Sequence, residues 1–396
     1  MPRASRLFPV LAIALVAAAV EIAVMHNAMG LSLSHVMPAS LRVQFNGSDA
    51  RTNATIASEL LASASPANAR AAQDYARRAL LRDPLVAEAA RNAGAAAGLL
   101  GHPDAMKRRL DYSLWLSRRD LPTLLGQIEE RVGANDIAGA LHFYDIALRA
   151  SGNAGTVLVP VLVQAVEDAT VRAELIAYIA RYRPPWTQTY FDALLRTSRD
   201  WQALAAVTRG LLEARVPLAR DTTDQAIRTV VDAGHPAEAY GMYLAKAGTI
   251  GRQALRNGNF TSFEGTSPFD WNLMQDAGRQ AAMVDGQLSI DVVRDTNGPV
   301  AHQLLMLRPG HYRLQAKLAV EGEPDNALPY WVVVCLPRNV GIGRVEASRL
   351  LDGGNGWSGE FTISPDCEAQ KLILNVRAMD TAITYKVSDV SVDAMR

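Results

Sequence analysis

Three textures of hydrophobic and polar residues follow one another along the chain. The first is an almost unbroken apolar run, Leu7-Phe8-Pro9-Val10-Leu11-Ala12-Ile13-Ala14-Leu15-Val16-Ala17-Ala18-Ala19-Val20, interrupted by Glu21 and extended by Ile22-Ala23-Val24. It is apolar all round, so it lacks the polar face of a soluble surface helix. In the second texture, over 51–250, apolar residues recur at helical spacing between Gly, Pro and Asp punctuation, which predicts successive amphipathic helices. In the third, over 251–396, short alternating segments predict strands at 288–292, 311–320, 331–335, 371–376 and 383–387. Their expected separators are Thr296-Asn297-Gly298-Pro299, residues 321–329, and Asp352-Gly353-Gly354-Asn355-Gly356. Many short strands with this punctuation predict a sandwich rather than a parallel sheet.

Charge placement gives the apolar run a direction. Arg3 and Arg6 precede it and no Lys or Arg follows until Arg42, which predicts a body carried outward across a membrane. The run of about 27 Å as helix approaches a hydrocarbon core of about 30 Å. A retained signal anchor over 1–24 is the favoured expectation; cleavage as a signal peptide, at the small residues of Ala17-x-Ala19, is the rival. Residues 25–50, without a clear period, read as a linker. The expected location is the inner membrane with one N-terminal pass and the body in the periplasm, or a secreted or periplasmic protein after cleavage. Forty basic residues balance forty acidic ones, so no nucleic-acid partner is expected. The only cysteines are Cys335 and Cys367. Two buried free thiols are one reading. A disulfide is the other, favoured by export, and would be worth roughly 3–4 kcal/mol.

Within the helical stretch two segments share a spacing. Ala72, Ala76, Ala79, Leu80 and Pro84 form one set and Ala140, Tyr144, Ala147 and Leu148 the other, with Ala72 and Ala140 68 residues apart and thus twice a 34-residue period. Small residues let paired helices approach, and the Tyr fills the groove beside them. The pattern is similar to the second helix of a tetratricopeptide repeat, and the copy between, around Met106 and Leu110, departs from it at the small position. Turns are expected at Gly101-His102-Pro103-Asp104 and Gly133-Ala134-Asn135-Asp136, and a break at Pro184-Pro185-Trp186. An irregular all-α domain is the alternative to a short solenoid. Tyr112, Trp115, Tyr178, Trp186, Tyr190 and Trp201 are expected to fill grooves between helices.

The last third opens at Leu255-Arg256-Asn257-Gly258-Asn259-Phe260, contains Pro309-Gly310-His311-Tyr312-Arg313-Leu314-Gln315-Ala316, and closes at Tyr385-Lys386-Val387-Ser388-Asp389-Val390-Ser391-Val392. Those segments in that order resemble carbohydrate-binding modules with a galactose-binding-like jelly roll. The resemblance implies that Phe260 and Trp271 enter the core. It also implies a structural calcium near the joined ends, but Asn259 stands where an acidic partner of Asp389 is usual, so no metal is expected. Sugar binding needs exposed rings, with amides and carboxylates for the hydroxyls. The candidates are Tyr330, Trp331 and Trp357, with Asn355, Asp352 and Arg344 as polar contacts. Tyr330 and Trp331 must point to opposite faces of one strand. The alternative is that these rings cover the edge of the sandwich core.

The expected fold class is therefore multidomain α plus β: a membrane helix, an all-α tetratricopeptide-like solenoid over 51–250 and an all-β jelly roll over 251–396. Gly356-Trp357-Ser358-Gly359 only approaches a nucleophile elbow, Gly341-Ile342-Gly343 lacks a third glycine, and the seven histidines have no ligand spacing. A non-enzyme without cofactor is expected: a membrane-anchored envelope scaffold whose partners are other envelope or polysaccharide-assembly proteins and a glycan. The rivals are an envelope glycan-modifying hydrolase or lyase, and a purely protein-contact structural module.

Overall fold

The computed structural model describes residues 49–63, 65–248, 254–261, 267–321, 328–349, 355–378 and 381–395. The apolar run at 7–24, residues 25–48 of the expected linker and Asp352 lie outside them. Asp49 and Ala50, expected as the end of the linker, instead cap and open the first helix, because the Asp49 side chain accepts a first-turn N–H. Among the described residues no helix is long and apolar enough to cross a membrane. By backbone contact the chain forms two compact units, one ending at Leu158 and the other starting at Val159.

The first unit holds α1 (Ala50–Leu61), α2 (Pro66–Arg82), α3 (Ala87–Leu99), α4 (Pro103–Leu116), α5 (Leu121–Gly133), α6 (Ile137–Ala150) and the start of α7 (Ala154–Ala165). Side-chain caps start several of these helices: Asp49, Ser65, Asp120 and Asp136 each accept a backbone N–H of the first turn. The small positions are the packing surface, with Ala57, Ala72, Ala76 and Ala93 in one buried cluster where α1, α2 and α3 meet. Ala140, Tyr144 and Ala147 are buried in the same manner on α6. Leu110 fills the corresponding depth on α4, where the alanine pattern fails. The turns fall where Gly101 (φ 81°) and Asn135 (φ 57°) adopt left-handed backbone. Trp115 departs from the expected groove-filling role, since it is 75% exposed at the end of α4, stacked on Tyr112.

The second unit continues through α8 (Ala169–Tyr182), α9 (Thr187–Thr197), α10 (Trp201–Glu213), α11 (Arg220–Asp232) and α12 (Pro236–Ala247) into a β-sandwich. Pro184-Pro185-Trp186 separates α8 from α9, after Arg183 turns left-handed at φ 48°. Tyr178, Trp186 and Tyr190 are buried, whereas Trp201 is half-buried and stacks on His235 at 3.5 Å.

Eleven strands build the sandwich among the described residues. One sheet has five strands in the order β1 (Asn272–Leu273), β4 (Thr296–Leu305), β10 (Ala369–Ala378), β6 (Tyr330–Leu336) and β7 (Val340–Glu346). The other has six: β2 (Arg279–Val284), β3 (Gln287–Val292), β11 (Ile383–Ala394), β5 (Gly310–Glu321), β9 (Asn355–Ile363) and β8 (Ser348–Arg349). All pairings are antiparallel. Burial alternates along β5, which sends Tyr312, Leu314, Ala316 and Leu318 inward and Arg313, Gln315 and Lys317 outward.

The two framing motifs meet. Val390 N–H donates to the Gly258 carbonyl at 2.8 Å, and a Cβ on residue 258 would lie 1.9 Å from the Val390 carbonyl oxygen, so only glycine fits there. Asp389 pairs with Lys317 Nζ at 3.0 Å. One expected separator is in fact strand: Thr296-Asn297-Gly298-Pro299 forms the start of β4. Proline is tolerated because β1 pairs only with Ala301 and His302, leaving that side of Pro299 at an edge, while a bulge at Leu374/Asn375 absorbs the irregularity on the other side.

A polar joint ties α12 to the sandwich. Tyr243 Oη donates to Asp270 Oδ1 at 2.7 Å, and Arg256 Nη1 pairs with the same oxygen at 3.0 Å. Arg256 lies over the Tyr243 ring at 5.1 Å, and Phe269 packs on Tyr240 and Tyr243. The Gln303 amide closes the group by bonding both the N–H and the carbonyl of Arg256.

Candidate functional site

The rings singled out in the sequence divide between core and surface. Trp357 and Trp331 are both 0% exposed, so neither offers a face to a ligand. Trp357 belongs to β9 rather than to a glycine-rich loop, because Asn355 and Gly356 already pair with Leu318 and Lys317 of β5. That pairing turns Trp357 inward beside Ala316, and its indole N–H donates to the Pro329 carbonyl at 3.1 Å. A file of rings crosses the interior, Phe260 to Trp271 at 5.4 Å, Trp271 to Trp331 at 5.9 Å and Trp331 to Trp357 at 5.9 Å. Phe260 and Trp271 are core, each 2% exposed. Cys335 and Cys367 are bonded, with 5.5 Å between their Cα atoms.

Tyr330 is the candidate that faces outward. Alternation along β6 buries Trp331, Val333 and Cys335 and leaves Tyr330, Val332, Val334 and Leu336 half-buried on the outer face of the five-stranded sheet. On β10 the same parity presents Lys371, Ile373, Asn375 and Arg377. The register sets Asn375 beside Tyr330, Ile373 beside Val332 and Lys371 beside Val334. The guanidinium groups of Arg344 and Arg377 lie 4.0 and 4.2 Å from the centre of the Tyr330 ring. Glu346, opposite Tyr330 on β7, accepts from both arginines. Two guanidiniums paired with one carboxylate leave this end of the face with a surplus positive charge. Asn355 is exposed on the other sheet, away from this group.

The outer face thus has an apolar floor, Ile373, Val332 and Val334, with an aromatic and cationic group at the Tyr330 end. At the other end a cleft of ≈ 370 Å³ opens beside α11 and α12, and Arg228, His302 and Lys371 reach it. None of these three, nor Arg377, was singled out from the sequence. Lys371 and Arg377 share the outward parity of β10, so the alternation pointed to them once that strand was placed. His302 was hidden because the start of β4 read as a turn. Arg228 comes from a helix far away in sequence, and nothing local marks it.

Burial and then the charges of Lys371 and Arg228 push the pKa of His302 down from 6.5 to about 4, so its imidazole is neutral at physiological pH. Among the described residues no group of three or more His, Cys, Asp or Glu side chains could hold a metal ion.

No protein-family model matches this chain, and no curated protein matches it. Among solved structures it is similar to a CBM4 carbohydrate-binding module, with 15% identity and a TM-score of 0.28 over 36% of this chain and 99% of that one. A CBM61 module in complex with β-1,4-galactotriose has 15% identity and a TM-score of 0.26, over 36% of this chain and 99% of that one. An arabinose-bound GH51 α-L-arabinofuranosidase has 13% identity and a TM-score of 0.28, over 37% of this chain and 27% of that one. The sheet order given above, and not these likenesses, carries the architecture.

Proposed function

We propose that the C-terminal sandwich binds a glycan across the outer face of its five-stranded sheet, and that the chain is a non-catalytic envelope scaffold. The observation that carries the binding reading is the contrast between the two outer faces. The six-stranded sheet turns exposed charged and polar side chains outward from β5, such as Arg313, Gln315 and Lys317. The five-stranded sheet instead keeps half-buried apolar residues on β6 and β10 between Tyr330 with its arginines at one end and a cleft at the other. Apolar floor with flanking donors is what a sugar requires, since its C–H face packs on carbon while its hydroxyls take hydrogen bonds.

The helical array, read as tetratricopeptide-like, would then hold partner proteins of polysaccharide assembly or export. The Cys335–Cys367 bond supports an oxidising compartment such as the periplasm, reached through the apolar segment at 7–24 as anchor or signal. A glycan array probed with the full chain tests the reading. Retention on envelope polysaccharides, weakened by roughly 1–2 kcal/mol in Tyr330→Ala, is expected. Retention on no glycan, or binding indifferent to Tyr330 and Arg377 alike, would remove the sheet face as the binding surface.

A further inference from the structure

The cleft at the end of the sheet away from Tyr330 has a chemistry of its own. Its ≈ 370 Å³ lies near the lower end of small-ligand pockets, which run from roughly 300 to 1,000 Å³. Two cations reach it from different elements, Lys371 from β10 and Arg228 from α11. Lys371 is half-buried and has no ion pair among the described residues. Arg228 donates to Gln225 Oε1 at 3.0 Å on its own helix. His302 lines the cleft as well, and its Nδ1 is buried with no hydrogen-bond partner among the described residues.

A buried nitrogen with nothing bonded to it bears a desolvation cost that a ligand atom bonding it would recover. The imidazole is held neutral, with a pKa of about 4. The positive charge of the cleft lining is therefore carried by Lys371 and Arg228, and Asp232 at the exposed rim is the acidic residue of that lining. Helix dipoles do not alter the sign. α11 ends and α12 begins at the cleft, and terminal charges of about half a unit oppose one another. Leu304, Pro268 and Pro337 supply apolar wall.

We propose that this cleft binds the carboxylate-bearing residue of an acidic glycan, a hexuronate, with Lys371 and Arg228 pairing the carboxylate and His302 Nδ1 bonding the sugar. Asp232 and Asn272 at the cleft wall are placed for sugar hydroxyls. A lone phosphate would satisfy the cations but leave the apolar walls uncovered, whereas a pyranose ring covers them. The proposal rests on the glycan reading of the sheet face and adds to it the charge of the sugar and a contribution from a helix outside the sandwich.

Calorimetric titration of the full chain tests it, with trigalacturonate, neutral galactotriose and inorganic phosphate as separate probes. Trigalacturonate is expected to bind about tenfold more tightly than galactotriose, with the preference shrinking as salt is raised. Lys371→Gln and Arg228→Gln are each expected to weaken trigalacturonate binding about five- to tenfold and leave galactotriose within about twofold, and Lys371→Arg to restore most of the preference. Thermal melts of each variant check that the fold is kept. Equal affinity for the two sugars, or uronate binding indifferent to Lys371, overturns the acidic-sugar assignment while the glycan reading stands. Phosphate bound through Lys371 with trigalacturonate excluded overturns it in favour of a simple anion. Binding of neither sugar overturns the acidic-sugar assignment, and the glycan reading falls with it only where the glycan array also shows no retention.

Discussion

Trp357 and Tyr330 exchange the roles that their surroundings in the sequence suggest. Trp357 follows a run of glycines yet is fully enclosed, and Tyr330 opens a hydrophobic strand yet faces out under two arginines. Trp357→Ala is expected to cost about 3–5 kcal/mol of folding stability in chemical denaturation, the range for removing a buried aromatic. Tyr330→Ala is expected to stay within about 1 kcal/mol of the parent, and equal losses in the two variants would contradict the assignment. His302 makes a second residue-scale prediction. Its pKa is about 4 in the folded chain against 6.5 unfolded, so the unfolded state takes up the proton first. The stability it contributes is complete above about pH 6.5 and is lost as pH falls toward about 4, by about 2–3 kcal/mol once partial exposure is allowed for. Lys371, Arg228 and Asp232 are the charged groups facing it in the cleft, and the two cations act in the same direction as burial. Denaturant midpoints measured across that window should decline in the parent, and the decline should be shallower in His302→Gln.

At the scale of elements, the disulfide fastens the end of β6 to the turn that leads into β10. These two strands are neighbours in the five-stranded sheet, so the bond reinforces the strand pair beneath the proposed binding face. Cys335→Ser is expected to lower stability by about 2–4 kcal/mol, measured by denaturation against the oxidised parent. An identical midpoint in parent and variant would show that the bond adds no net stability. β4 illustrates why local reading misses an element. Gly298 and Pro299 are poor strand formers, but an edge position on one side and a bulge on the other accommodate them, and pairing with β10 outweighs propensity.

For the molecule as a whole, the joint around Asp270 decides how the second unit holds together, since it connects α12 to the first strands of the sandwich. Arg256 and Asp270 have only 10% and 12% of their side chains exposed, so removing one partner leaves the other charged and buried. Asp270→Ala is expected to cost about 3–5 kcal/mol, and a double-mutant cycle with Tyr243→Phe should show coupling between α12 and the sandwich. Additive effects would mean that the helix and the sandwich are energetically independent. The same packing places α11 and α12 beside the sheet face, where they form one wall of the cleft.

The amino-acid sequence by itself determined the sequence of textures: helices where apolar residues recur at helical spacing, strands where they alternate, and the frame whose ends meet at Gly258 and Val390. Those features depend on neighbours along the chain, which is why Phe260, Trp271, Ala72 and Ala140 were legible as core. The candidate site was legible only at Tyr330 and Arg344, because strand parity settles which side chains share a face but not which face is covered. Trp357 took its place from pairing with β5, and His302 from a strand whose first residues look like a turn. Arg228 and Lys371 are 143 positions apart and come together only because α11 packs beside the five-stranded sheet. Periodicity reports the local geometry of an element; the partner that covers each face is chosen by long-range packing, and that is where the site was decided.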